Sequence, residues 1–180
     1  MEIISGTQTL REEFEPWLVS TGQICAELSR DYKTWPFASS EQCLVGAFLS
    51  GAARLRIPAC LESNFKHVRI KDSEATYDHK YRVDLWIQLR LSSYIEFKLS
   101  VDGRDNVNLR TKVGDAKTQL LRVNPYEGGQ AFSAVVFAYR SDQADPKTTP
   151  KNVRDDNHDL IARFKGSGTL RADVFFQKVW

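Results

Sequence analysis

Three charged residues of this chain sit where the interior of a sheet is expected. Asp84 lies in the apolar run Tyr81-Arg82-Val83-Asp84-Leu85-Trp86-Ile87, and Glu96 and Lys98 lie in Tyr94-Ile95-Glu96-Phe97-Lys98-Leu99. Strand interiors avoid lone charges, because taking an unpaired ion out of water is costly. Two carboxylates that can share a divalent cation, beside an ammonium that can hold a water, are the groups that metal-assisted phosphodiester hydrolysis needs.

Strand geometry sharpens the grouping, since alternate side chains share a face. Val83, Leu85, Ile87 and Leu89 fall on one face of the first strand, with Asp84, Trp86 and Gln88 on the other. In the second strand Ile95, Phe97, Leu99 and Val101 oppose Tyr94, Glu96 and Lys98. A hairpin with an odd-numbered turn near Arg90 to Ser92 brings Asp84 onto the face of Glu96 and Lys98, directly opposite one of them or a diagonal away. Two carboxylates that close repel unless a cation lies between them, and Mg²⁺ is bound through one or two carboxylates plus waters and phosphate oxygens. Lys98 then orients or deprotonates the attacking water while the metal stabilises charge on the phosphate.

The triplet alone carries little. Five acid-x-Lys triplets occur, beginning at Asp31, Asp78, Glu96, Asp115 and Asp145, and only the one at Glu96 falls mid-strand after a strand with an in-phase Asp. The plainer reading is a cross-strand Asp84–Lys98 ion pair on a solvated face, with Glu96 a bystander; on the strand pattern alone the two readings stand level.

Alternating elements flank these strands. Residues 7–30 read as one or two helices bent at Pro16. Ser39-Ser40 offers an N-cap for a helix to about Arg56, closed by Pro58. Residues 65–70 read as a strand, 71–80 as the turn after it, and 81–89 and 94–101 as stronger strands. Residues 102–110 read as a loop, 112–123 as a helix and 131–139 as a buried strand. Residues 141–152, with three prolines, read as a loop, 156–164 as a short helix and 172–179 as a strand. The middle of the chain is thus α-β-β-β-α-β, an α/β (α+β) arrangement with a mixed sheet.

Composition adds bounds. The 180 residues suit one domain with a substantial core. The 42% apolar and 27% charged content is that of a globular protein, and the net charge of +2 permits nucleic-acid binding without arguing for it. No apolar run approaches the ~18 residues that span a bilayer, and no leader pattern opens the chain. Cys25, Cys43 and Cys60 lack a paired spacing, which argues against zinc or iron–sulfur ligation and for reduced, half-buried thiols in a cytoplasmic protein.

Asp84 followed after eleven residues by Glu96-x-Lys98 resembles the PD-(D/E)xK nuclease superfamily, which includes restriction endonucleases, Holliday-junction resolvases and phage-type exonucleases. The likeness covers residues 39–139, and Val83 stands where the name-giving proline would be. It implies a restriction-endonuclease-like αβββαβ core at 39–139 within a single nuclease-like domain, a helical N-terminal extension at 1–38, and a C-terminal extension of helix and strand at 140–180. It implies Mg²⁺ as cofactor, with Mn²⁺ able to substitute, held by Asp84, Glu96 and the Phe97 carbonyl. Lys98 would position the hydrolytic water. An acidic residue on the preceding helix is a further family feature, and Glu41 fits it, in phase with Leu44, Val45 and Phe48; a first-turn Glu favoured by the helix dipole is the equal alternative. A Gln or Lys on the following helix is another such feature. Gln119 is taken over Lys117 for a phosphate or water contact, against the reading of a solvated helix residue. The implied activity is endonucleolytic cleavage of nucleic acid, DNA rather than RNA, by a homodimer or within a larger complex. The alternative is a nuclease-like subunit that binds nucleic acid without cutting or needs a partner to cut.

Other clusters weigh less. Asp155-Asp156-Asn157-His158-Asp159 lacks a dedicated ligand spacing and reads as a solvated loop entering a capped helix. Lys66, Arg69, Lys71, Lys80 and Arg82, then Arg104, Arg110 and Lys112, line either a phosphate backbone or a solvated rim. Trp35, Phe37 and Trp86 read as core residues before base-stacking ones.

Overall fold

The structure, a computed structural model, describes residues 1–71, 74–100, 106–121, 129–142 and 158–180. Strand β1 (Glu2–Gly6) leads into helix α1 (Gln8–Asp31), a 3-10 turn at Pro36–Ala38 and helix α2 (Glu41–Arg54). Strands β2 (Ala59–Lys71), β3 (Glu74–Gln88) and β4 (Ser92–Ser100) follow, then helix α3 (Asn106–Leu120) and strands β5 (Gln130–Arg140), β6 (Leu160–Lys165) and β7 (Leu170–Lys178). The result is an α/β fold with a seven-stranded mixed sheet in the order β1-β6-β7-β5-β4-β3-β2. Among the described strands only β4 and β5 pair in parallel, because α3 carries the chain back across the sheet between them.

Local chemistry sets the helix ends. Thr7 caps α1 by accepting from the Leu10 amide, and Ser40 caps α2 by accepting from the Cys43 amide at 3.1 Å. Helix α1 runs through Pro16 as one helix. Proline forgoes one intrahelical bond, and the buried Phe14, Trp17 and Leu18 on either side hold the helix against the sheet.

The main core lies between the sheet and α1/α2. Phe48 of α2 is fully buried, with ring centroids 5.2 Å from Trp17, 4.8 Å from Phe97 and 5.8 Å from Phe164. The Trp17 indole donates to the Phe48 carbonyl at 2.9 Å, so the two helices are also bonded where they pack. They approach closely at Gly51, where an added Cβ would lie 2.8 Å from the Thr21 nitrogen. Helix α3 covers the opposite face, burying Ala116 and Leu120, the latter in a cluster with Val83, Tyr94 and Ala131. Phe48→Ala is expected to lower stability by about 3–5 kcal/mol, read from a chemical-denaturation midpoint, because it removes a ring with no room to collapse around the gap.

The element order α2-β2-β3-β4-α3-β5 follows the α-β-β-β-α-β pattern expected from sequence. Elsewhere the structure corrects the reading. Residues 71–80 are not a turn: β2 runs to Lys71 and β3 begins at Glu74. Residues 160–164 of the helix expected at 156–164 belong to strand β6, so the described C-terminal residues hold two strands, β6 and β7. The N-terminal part is not wholly helical, since β1 pairs with β6 at the sheet edge. Helix α3 begins at Asn106, inside the expected loop 102–110. Cys25 is fully buried, with burial pushing its thiol up to about 12, while Cys43 and Cys60 are exposed. Asp102 to Asp105, most of the loop 141–152, and Asp155 to Asn157 lie outside the described residues. Among the described residues no helix is long and apolar enough to cross a membrane.

Candidate active site

The site is built where a ladder ends. β3 and β4 pair antiparallel from Gln88↔Ser92 to Leu85↔Ile95, and there the pairing stops. One residue on, the Asp84 carboxylate accepts the Phe97 amide at 2.7 Å, in the place that a carbonyl of β3 would hold in a continued ladder. A strand residue presents its N–H and C=O on the same edge, so the Phe97 carbonyl also lies on the side of the opening.

Next along β4, Glu96 and Lys98 act as one unit. Lys98 Nζ lies 2.7 Å from Glu96 Oε1 and 3.6 Å from Glu41 Oε1. The Glu96 and Lys98 side chains are 4% and 13% exposed, whereas Glu41, in the first turn of α2, is 41% exposed. The core holds this arrangement in place. Phe97, between the two charged residues, packs on Phe48 of α2, one face of which also carries Glu41. Glu41, Gln42, Val45, Leu61 and Asp84 line an open cleft of about 420 Å³ beside the break in pairing, within the size range of ligand sites.

The electrostatics follow from burial and crowding. Burial pushes the Glu96 carboxyl from 4.5 up to about 7, the Asp84 charge adds to the rise, and the Lys98 contact opposes it. For Lys98 burial pulls the other way, but the bond to Glu96 and the charges of Glu96, Glu41 and Asp84 together outweigh it and hold the ammonium above its ordinary value. Lys98 therefore remains a charged donor at neutral pH. Of the two roles expected for it, orienting a water fits and deprotonating one does not.

The structure brings together Asp84, Glu96, Lys98 and Glu41, with the Phe97 backbone among them. It does not bring Gln119 to them: Gln119 is exposed on α3, one residue before the buried Leu120, and Lys117 is half-buried. Gln42, Val45 and Leu61 were not expected in the cleft. The helical spacing of Gln42 and Val45 around Glu41 is the signal that could have found two of them. Trp35 and Phe37 are core residues, and Trp86 is half-buried beside the Tyr94–Leu120 cluster.

No group of three or more His, Cys, Asp or Glu side chains converges on one metal position among the described residues. What is present is a buried carboxylate whose charge is disfavoured, a second carboxylate near enough to add to that, and an open side. This donor set fits a hard cation that takes one or two carboxylates and completes its shell with water and phosphate oxygens.

A second buried ion pair offers a contrast. Arg163 of β6 makes two bonds, of 2.8 and 2.9 Å, to Asp173 of β7, which is 1% exposed and lies directly opposite it. At the Asp84 cluster, by contrast, the charges of Glu96, Glu41 and Asp84 all act on the Lys98 ammonium. No family model, curated protein or solved structure matches the chain.

Proposed function

We propose that this protein is a Mg²⁺-dependent nuclease that hydrolyses phosphodiester bonds of DNA endonucleolytically, built on a restriction-endonuclease-like αβββαβ core. The observation that carries the reading is the break in β3–β4 pairing at Asp84, which leaves Asp84 and Glu96 beside a cleft with Lys98 fixed against Glu96. The raised Glu96 carboxyl supports it too: burial and the Asp84 charge disfavour its ionised form, which a cation in the cleft would favour.

Asp84 and Glu96 would hold the metal, with the Phe97 carbonyl and Glu41 completing the protein's share. When bound, Mg²⁺ supplies positive charge for a phosphate oxygen and lowers the pKa of a coordinated water. Lys98, kept protonated by its carboxylates, donates to the attacking water and fixes its approach. Hydrolysis forms a bond from the water oxygen to phosphorus and breaks the bond to the 3′ oxygen, which leaves carrying a proton from that water. The half-exposed Glu41 lies at the cleft side, where a phosphodiester backbone enters.

The test is cleavage of supercoiled plasmid with Mg²⁺ or Mn²⁺. Nicked and linear products that vanish on chelation support the reading. Asp84→Asn is expected to keep the fold, since the amide oxygen still accepts from Phe97. It is expected to lose both cleavage, by at least about a hundredfold, and the rise in melting temperature that Mg²⁺ gives the wild type. Cleavage surviving in Asp84→Asn would sink the assignment.

A second reading is favoured by the lack of a three-ligand group among the described residues: a nuclease-like module that binds nucleic acid without cutting, or cuts only with a partner. It predicts DNA binding with no metal-dependent products from the isolated chain.

A further inference from the structure

The cleft beside Asp84 has two kinds of wall. Asp84 and Glu41 supply carboxylates, Gln42 an amide, and Val45 and Leu61 apolar surface. Glu41, Gln42 and Val45 come from one stretch of α2, where residues three and four apart share a face. Leu61 comes from β2, the last strand in the sheet order, and pairs with Leu85 of β3. Directly opposed residues share a face, and Leu85 is fully buried in the core under α1 and α2. Leu61 therefore extends that apolar face to the edge of the sheet. There it stays 44% exposed, in the same cleft as Val45.

A single exposed leucine is ordinary on a protein surface. This one shares a concavity with Asp84 and Glu41, which the nuclease reading assigns to the metal. A paired strand has no use for such a wall. In a duplex the base faces are stacked on one another, and only base edges, sugars and phosphates reach a protein. The cleft is also too small for a duplex. Its volume of about 420 Å³ is that of a cube of about 7.5 Å edge, against a major groove that is itself about 12 Å wide. One nucleotide is within the range of ligands that clefts of this size take. An unpaired base has a face to lay on apolar side chains and a polar edge to be bonded. The Gln42 amide offers two donors and an acceptor for that edge.

We propose that this cleft receives the base of an unpaired nucleotide beside the scissile phosphate, with Val45 and Leu61 against its face and Gln42 at its edge. The protein then prefers single-stranded DNA, or a duplex already opened, because bringing a paired base into the cleft first costs its pairing and stacking. Negative supercoiling eases that opening, so a supercoiled plasmid remains a substrate. The plainer use of Leu61 is to close the edge of the core, and that use predicts no dependence on bases. The proposal rests on the nuclease reading for its choice of DNA, and its first readout is binding, which needs no cleavage.

Fluorescence anisotropy of the full chain in chelator compares three labelled DNAs of one length, at physiological salt, where contacts to phosphate alone are weakened. They are a single strand, its duplex, and a strand of stable abasic (tetrahydrofuran) nucleotides, which keeps every phosphate and lacks every base. The wild type is expected to bind the single strand at least about tenfold more tightly than either of the others. Leu61→Ala should remove at least about tenfold of the single-strand affinity and leave that of the abasic strand unchanged. Leu61→Met, which keeps the volume of the side chain, should restore it. With Mg²⁺ the same order of the three DNAs should hold for cleavage. Binding of the abasic strand or the duplex as tight as that of the single strand overturns the proposal without any variant. So does a Leu61→Ala protein, folded by circular dichroism, that binds the single strand as wild type does. Wild type that discriminates in this way yet cuts nothing with Mg²⁺ leaves the base site standing and removes the nuclease reading. Wild type that cuts the duplex and the abasic strand as fast as the single strand does the reverse.

Discussion

Lys98→Ala is expected to lower Mg²⁺-dependent cleavage about 10²–10³-fold, the effect of removing one preorganised donor from a centre where charge develops. Lys98 is the one ammonium bonded into the cluster among the described contacts, and its contacts keep it protonated. Alanine leaves the water at the reacting phosphate without its donor. The loss belongs in kcat, with KM little changed, because the interaction strengthens as the bond to phosphorus forms. Stability behaves differently. Breaking a buried pair is costly when it strands a charge, but Glu96 can avoid this by keeping its proton, since its pKa is already raised. The variant should therefore melt close to wild type at pH 6 and below it at pH 8. A folded Lys98→Ala protein that cuts at the wild-type rate would return the cluster to a plain ion-pair network.

Most of this cluster is legible in the sequence, because it depends on strand periodicity. Alternation in two strongly apolar strands puts Glu96 and Lys98 on one face, and the short turn brings Asp84 level with them. Glu41 is legible for a similar reason: Ser40 fixes where α2 starts, and the phase of Leu44, Val45 and Phe48 orients it. The opening itself is not legible. Whether β3 and β4 stay paired beyond Leu85 is a tertiary matter, and no residue of either strand announces that the Asp84 side chain, not a backbone carbonyl, takes the Phe97 amide. Gln119 shows the limit of carrying a position across by resemblance. Helix phase decides its exposure, and the buried Ala116 and Leu120 turn it outward.

The errors in the fold have the same physical origin. β6 offers Leu160, Ile161 and Phe164, a spacing that suits one turn of helix as well as a strand buried on both faces. Pairing with β7 on one side and β1 on the other settles it as a strand. β1 is five residues long and gains its partner from the other end of the chain, so no local signal marks it. Residues 71–80 read as a polar turn because the outer part of the β2–β3 pairing prints no apolar period on the sequence.

Glu96→Gln should abolish metal-dependent cleavage and yet make the protein more stable above neutral pH. Burial, with Asp84 beside it, raises the Glu96 carboxyl from 4.5 to about 7. Between those two values the folded protein retains a proton that the unfolded chain releases. Stability from this group is thus complete below about pH 4.5, falls as pH rises, and is lost above about pH 7. Glutamine mimics the protonated state at every pH and removes that slope. Its advantage at pH 8 is on the order of 1–3 kcal/mol for a shift of this direction and scale, read as a higher denaturation midpoint that converges with wild type toward pH 5. A cation that binds the ionised carboxylate opposes the rise, so Mg²⁺ should stabilise the wild type, release a proton on binding and leave Glu96→Gln unmoved. Wild-type cleavage at low Mg²⁺ should then climb through pH 7, with a midpoint that moves down as Mg²⁺ increases. A Glu96→Gln protein less stable than wild type at pH 8 would mean that the bond to Lys98 outweighs burial. One that is more stable and inactive would mean that the fold tolerates a strained carboxylate that serves the metal.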